Sequence, residues 1–108
     1  MTLTELRYIV AVAQEKHFGR AAQRCHVSQP TLSIAIKKLE EELGVSLFDR
    51  SSSEILMTES GAAIVSQAQR VLEEAEVIRH LANAEQNQLE GSFRLGLIFT
   101  GAPYVLPR

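Results

Sequence analysis

Seven residues, VSQPTLS at positions 27–33, set Ser28, Gln29, Thr31 and Ser33 around Pro30, between an apolar stretch and the pair Lys37 and Lys38. Side chains of this kind do two sorts of work. At a helix start a serine oxygen accepts from amides that have no intrahelical acceptor, and a proline is tolerated for the same reason. Presented outward, the same hydroxyls and amide donate to phosphate oxygens and base edges, and the free backbone amides add to an anion site. The surrounding charge bears on which it is. Residues 16–38 hold Lys16, Arg20, Arg24, Lys37 and Lys38, two histidines (His17 and His26) and no carboxylate. That block carries +5 in a chain of net charge −2, so an affinity for polyanions is hidden in the sum. Between 59 and 90 six glutamates oppose Arg70 and Arg79, a balance of −4. The acidity belongs to another element.

Other chemistries find little support. The only cysteine, Cys25, excludes an internal disulfide and a cysteine-rich zinc site, and His26 beside it has no second cysteine or HxxxH partner, so no metal is expected. Cys25 reads as a small buried hydrophobe rather than a reactive thiol. No paired carboxylates, nucleophile elbow or phosphate loop occur, so neither an enzyme nor a cofactor is expected. At 108 residues and 45% hydrophobic content the chain suits one domain, or a domain plus an appendage. Glu5, Arg7 and Glu15 rule out an apolar signal segment in the first fifteen residues, and no later run approaches the ~20 residues of a membrane span. The reading is cytoplasmic.

The elements that must position these residues are legible from periodicity. Thr2 and Glu5 have capping-box spacing, and Leu3, Leu6, Ile9, Val10 and Ala13 continue a helix from about 3 to 15. Phe18, Ala21, Ala22 and Cys25 fit a short second helix, with a tight turn at His26 and Val27. A third helix starts at 28 or 29, buries a stripe of Leu32, Ile36, Leu39 and Leu43, and stops at Gly44. Residues 45–50 and 55–58 read as a small hairpin around Ser51, Ser52, Ser53 and Glu54. Thr58 or Ser60 then caps a long helix that runs to about Asn87, with Glu59 in its first turn. Inside it Ile64, Ala68, Val71, Ala75, Ile78 and Ala82 alternate four and three, a heptad seam suited to a partner helix. The stretch SFRLGLIFTG alternates Phe93, Leu95 and Leu97 and then turns wholly apolar, which reads as a strand for a sheet interior.

Three short helices with a tight turn, a basic block across the last two and a hairpin after them follow the plan of a winged helix-turn-helix. With Leu32, Ile36, Leu39 and Leu43 inward, Pro30, Ile34, Lys37 and Lys38 face the other way, Thr31 and Ser33 lie at the flanks, and Ile34 is placed to pack on a thymine methyl. The fold class is therefore mainly α: residues 1–58 a winged helix-turn-helix, 59–90 a linker helix for dimerisation, and 91–108 a strand-like start of a second, truncated domain.

The residues FGRAAQRCHVSQPTLSIAIKKLEEELGVSLFDR followed by MTESG resemble the N-terminal region of LysR-type transcriptional regulators, a resemblance that covers about residues 1–90. The tail GLIFTGAPYVLPR is similar to the opening of that family's effector-binding domain, and CHVSQPTLS with GAPYVLP looks closest to its peroxide-sensing OxyR branch. The resemblance implies sequence-specific binding of double-stranded DNA by a homodimer joined through the linker helix, tetramers in the full-length protein, and control of transcription. Residue by residue it assigns DNA contact to Ser28, Gln29, Pro30, Thr31, Ser33, Ile34, Lys37 and Lys38, with Arg50 at the wing. Two departures stand out. Ile34 and Ala35 occupy positions where the family often has Arg or Gln, and the wing tip SSSE lacks the usual basic residues. The redox cysteines of the OxyR branch belong to the effector domain, so Cys25 does not inherit their role.

Each assignment has a plainer alternative. Ser28 and Thr31 can simply cap, Lys37 and Lys38 can pair with Glu40, Glu41 and Glu42 on a solvated face, and Arg20 and Arg24 can be ordinary surface charge. Arg50 can brace the hairpin instead of meeting phosphate, and the seam can pack on its own domain. A competing function is a coiled-coil interaction module whose basic patch takes an acidic partner.

Overall fold

A computed structural model of the chain describes the backbone through residue 95 and the side chains through residue 86. Its elements are α1 (Leu3–Glu15), α2 (Phe18–Arg24), α3 (Gln29–Leu43), β1 (Phe48–Asp49), β2 (Leu56–Met57) and α4 (Glu59–Leu95). Two compact units divide the chain, Met1–Glu73 and Glu74–Arg108. The first holds the three short helices, the hairpin and the opening turns of α4.

Helix α1 begins in a reciprocal cap: Thr2 Oγ1 accepts the Glu5 N–H at 3.1 Å, and Glu5 Oε1 accepts the Thr2 N–H at 2.9 Å. It ends with Lys16 in the left-handed region at φ 58°. The amide of Ile55 donates to the Lys16 carbonyl at 3.2 Å, which ties the hairpin to the α1–α2 corner. Ala21 and Ala22 are both buried in α2, and their small side chains let neighbouring helices cross closely. His26 turns the chain into α3 at φ 60°, while the Val27 amide bonds back to the Ala22 carbonyl at 3.0 Å.

The core gathers Ile9, Val12, Leu32, Ile36, Leu39 and Leu47, all fully buried. Two residues of the expected stripes lie outside it: Leu3 and Leu43 are exposed, at 41% and 36%. Both are the terminal residues of their helices, Leu3 the first of α1 and Leu43 the last of α3.

The hairpin is antiparallel with Phe48 opposite Met57 and Asp49 opposite Leu56, shorter than the two expected runs. The reason lies in where the preceding backbone groups go. The Val45 amide bonds to the Glu40 carbonyl at 3.3 Å, the Ser46 carbonyl accepts from Thr58 Oγ1 at 2.6 Å, and the Leu47 carbonyl accepts from the Thr58 amide at 3.0 Å. Helix ends, rather than a second strand, satisfy that segment.

Thr58 is the cap of α4, its Oγ1 accepting the Gly61 N–H at 2.9 Å. Val65 and Ala68 are buried, and Ile64 and Leu72 pack against the same core. The first two seam positions, Ile64 and Ala68, therefore face the chain's own domain, a correction to a seam that runs uniformly toward a partner. Val71 and Ile78 are exposed, at 37% and 68%, Ala75 is half-buried and Ala82 exposed. Helix α4 also continues through residues 91–95, past the expected end near Asn87 and into the segment read as strand. Gly91 alone costs about 1 kcal/mol of helix propensity, which a continuing hydrogen-bond ladder offsets, and the first following proline is Pro103. The rest of the expected strand and the GAPYVLPR tail lie outside the described residues.

Candidate nucleic-acid interface

The polar cluster resolves into a built cap with an outward donor. Ser28 is the N-cap of α3, and Pro30 lies in the first turn. Ser28 Oγ accepts the Thr31 N–H at 3.2 Å and donates to Thr31 Oγ1 at 2.9 Å. The serine hydroxyl is thus used twice within the chain. Thr31 Oγ1, already an acceptor, keeps its own proton for a group outside.

Around this start the outward face is as the helical geometry requires. Gln29, Pro30, Thr31, Lys37 and Lys38 are exposed, Ser33 is half-buried, and Ile34 is 67% exposed on a helix whose Leu32, Ile36 and Leu39 are at or near zero. Helix α2 comes close here: a Cβ added at Gly19 would sit 2.8 Å from His17 Cε1 and 3.7 Å from Gln29 Oε1. His17 caps α2 through Nδ1, which accepts the Arg20 N–H at 3.0 Å.

The five cations are not equivalent. Arg20 and Arg24 converge on Glu15, at 3.8 and 3.3 Å, and Arg20 Nη2 also donates to the Glu15 carbonyl at 3.1 Å. Glu15 stands one residue outside the carboxylate-free block, so part of the +5 is answered locally. Lys16, Lys37 and Lys38 take part in no ion pair among the described residues. The pairing of the lysines with the glutamates that follow them is not what α3 does. Glu42 instead faces the Met1 ammonium at 3.0 Å, which raises the amine above its ordinary pKa, and Glu40 turns to the hairpin.

Arg50 is engaged inside the chain. Its guanidinium carbon lies 5.0 Å from the centre of the Phe18 ring, and Nη2 lies 3.7 Å from Glu40 Oε1. The Arg50 side chain nonetheless stays 42% exposed. The wing adds a carboxylate of its own: the Ser51 N–H donates to Asp49 Oδ1 at 2.9 Å, and hydrogen bonds from Ser51 hold the Asp49 pKa below the usual range. Cys25 is half-buried, and burial pushes its thiol upward against the pull of Arg24 and Arg7. No group of histidine, cysteine and carboxylate side chains among the described residues is arranged for a metal ion, and no described helix is long and apolar enough to cross a membrane.

Glu40 is the residue that sequence reasoning missed. The signal was present, since it follows Ile36 by one turn and therefore shares the edge of the buried face. Its membership of the EEE run hid it.

Comparison with known proteins bears on what this arrangement belongs to. Residues 3–62 match the bacterial regulatory helix-turn-helix proteins of the lysR family. The chain belongs to the LysR family. Among curated members it is 48% identical over 107 residues to the DNA-binding transcriptional dual regulator OxyR of Escherichia coli K12, an alignment covering 99% of this chain and 35% of that protein. The chain thus spans about a third of the length of that protein, and likewise of the hydrogen peroxide-inducible genes activator of Pectobacterium carotovorum. Among solved structures, a full-length OxyR variant from Pseudomonas aeruginosa superposes with a TM-score of 0.78 at 67% identity, over 82% of this chain and 30% of that one. The DNA-binding domain of the LysR-family protein BenM, solved with benA site 1 DNA, gives 0.76 at 35% identity, over 80% and 97%.

Proposed function

We propose that this chain binds double-stranded DNA sequence-specifically, as the DNA-binding and linker region of a LysR-type transcriptional regulator of the peroxide-responsive OxyR kind. The observation that carries the reading is the outward face of α3: Thr31, whose hydroxyl accepts from Ser28, exposed Gln29 and Ile34, and Lys37 and Lys38, which have no ion pair among the described residues, on one side of a helix whose other side is core. Such a face fits a major groove, with hydroxyls, amide and lysines on phosphates and base edges and Ile34 against a thymine methyl. Gln29, Pro30, Thr31, Ser33, Ile34, Lys37 and Lys38 form the contact set, with Arg20 at its edge. Ser28 holds the helix start. The likeness to a solved family member in complex with DNA supports DNA as the partner.

Residues 1–58 would be the winged unit, 59–90 the linker, and 91–108 the entry to an effector domain that carries the redox response. Dimers form through the exposed part of α4, at Val71, Ala75, Ile78 and Ala82, and pair into tetramers in the full-length regulator, which acts in the cytoplasm. Selecting bound duplexes from a random pool tests the proposal. Enrichment of two half-sites separated by about one turn, ~34 Å, supports it. A pool that never converges counts against it, as would an acidic protein partner displacing every duplex.

A further inference from the structure

We propose that Glu40 is a positioning residue for DNA recognition: its carboxylate sets the wing against the recognition helix, so that the hairpin and α3 meet a duplex as one rigid surface. The inference rests on the DNA-binding reading above. Oε2 of Glu40 accepts the Leu47 N–H at 2.7 Å, immediately before β1 begins. Oε1 lies 3.7 Å from Arg50 Nη2, immediately after β1 ends, and the guanidinium stacks over Phe18, the first residue of α2. One carboxylate therefore grips both ends of a wing strand and, through Arg50, the start of α2.

The two grips differ in strength. The side chain of Glu40 is 11% exposed and that of Arg50 is 42% exposed. A short, charge-assisted bond to a part-buried amide is worth more than a long pair open to water, and removing its acceptor leaves a buried donor unsatisfied. The Leu47 bond is the one that fixes the hairpin. Leu47 is fully buried, and its carbonyl holds the Thr58 amide at 3.0 Å, so the grip is transmitted to the start of α4. The Glu40 side chain is 11% exposed and its carboxylate is turned to the hairpin rather than to the outward face of α3, which makes the role one of placement.

Hydroxyl-radical footprinting of the full chain on a duplex enriched from the random pool separates placement from mere stability. The inference expects Glu40→Ala to keep protection at the centre of each half-site and to lose it at the flanks where the wing sits, with Kd about tenfold weaker. Glu40→Asp keeps the charge but withdraws it by one methylene, so it should lose the flanks as well while disturbing the fold less than Glu40→Ala. Glu40→Gln keeps an oxygen at the right reach and should stay within about twofold of the parent chain. Flanking protection retained in Glu40→Asp overturns the inference, as does Glu40→Gln failing like Glu40→Ala, or centre and flanks fading together. A parent chain that protects only the centres overturns the inference, and one that binds no duplex at all overturns the DNA-binding reading itself, and the inference with it.

Discussion

Ser28 and Thr31 share one hydroxyl proton across 2.9 Å, with Ser28 as donor and Thr31 as acceptor, while the Thr31 amide completes the cap at 3.2 Å. This pairing leaves Thr31, not Ser28, with a donor to offer. Replacing Thr31 by Val removes that donor but keeps the backbone amide on Ser28. Binding to a selected duplex should weaken by about 1.5 kcal/mol, roughly tenfold in Kd, with little change in melting temperature. Ser28→Ala should do the reverse, costing about 1 kcal/mol of stability through the lost cap. Fluorescence anisotropy and thermal melts on the two variants distinguish the roles.

Gly61 sits in the first turn of α4, where Gly→Ala normally gains about 1 kcal/mol of helix propensity. Here the added Cβ would lie 1.9 Å from the Leu47 carbonyl oxygen. That contact is with backbone and cannot be relieved by a side-chain swing. The sign should therefore invert, with Gly61→Ala destabilising by about 2–3 kcal/mol in urea melts.

Ile34 is 67% exposed and touches no core, so Ile34→Ala should leave stability unchanged. Affinity should fall by about 1 kcal/mol only on duplexes with a thymine at the contacted position. Equal losses on thymine-containing and thymine-free sites would reject the methyl contact.

The seam divides into two kinds of position. Ala68 is 2% exposed and Ile78 is 68% exposed. Ala68→Glu should unfold the first unit by burying an unpaired charge, whereas Ile78→Glu should leave the melt unchanged and shift sedimentation from dimer to monomer. An unchanged dimer in Ile78→Glu, and likewise in Val71→Glu, places the interface elsewhere.

Much of this was legible in the sequence because it depends on local rules. Thr2 and Glu5 form the capping box that their spacing announces, Ser28 and Gly44 bound α3, and Ile34, Lys37 and Lys38 fall opposite Leu32, Ile36 and Leu39 as 100° per residue requires. What was not legible is tertiary. Periodicity cannot say how far a neighbouring element extends, so the stripe rule puts Leu43 inward where it is exposed, and the heptad rule puts Ile64 and Ala68 against a partner where they pack on the chain's own core. Charge counting cannot say which cations have acceptors. Glu15 takes up Arg20 and Arg24, and Glu40 takes up Arg50, while Lys37 and Lys38 have no ion pair among the described residues. The helical continuation through residues 91–95 overrode an i, i+2 apolar alternation too short to decide between strand and helix.

The central claim is that the outward face of α3 meets the DNA backbone and bases. Its most direct test is the salt dependence of binding to a selected duplex, measured on the parent chain and on the double variant Lys37→Gln, Lys38→Gln. Each phosphate neutralised contributes a slope of about 0.9 in log Kobs against log salt. The account predicts a steep negative slope for the parent chain that becomes shallower by about 1.8 in the double variant. A slope unchanged by the double substitution, or no salt-dependent binding to any duplex, would contradict it.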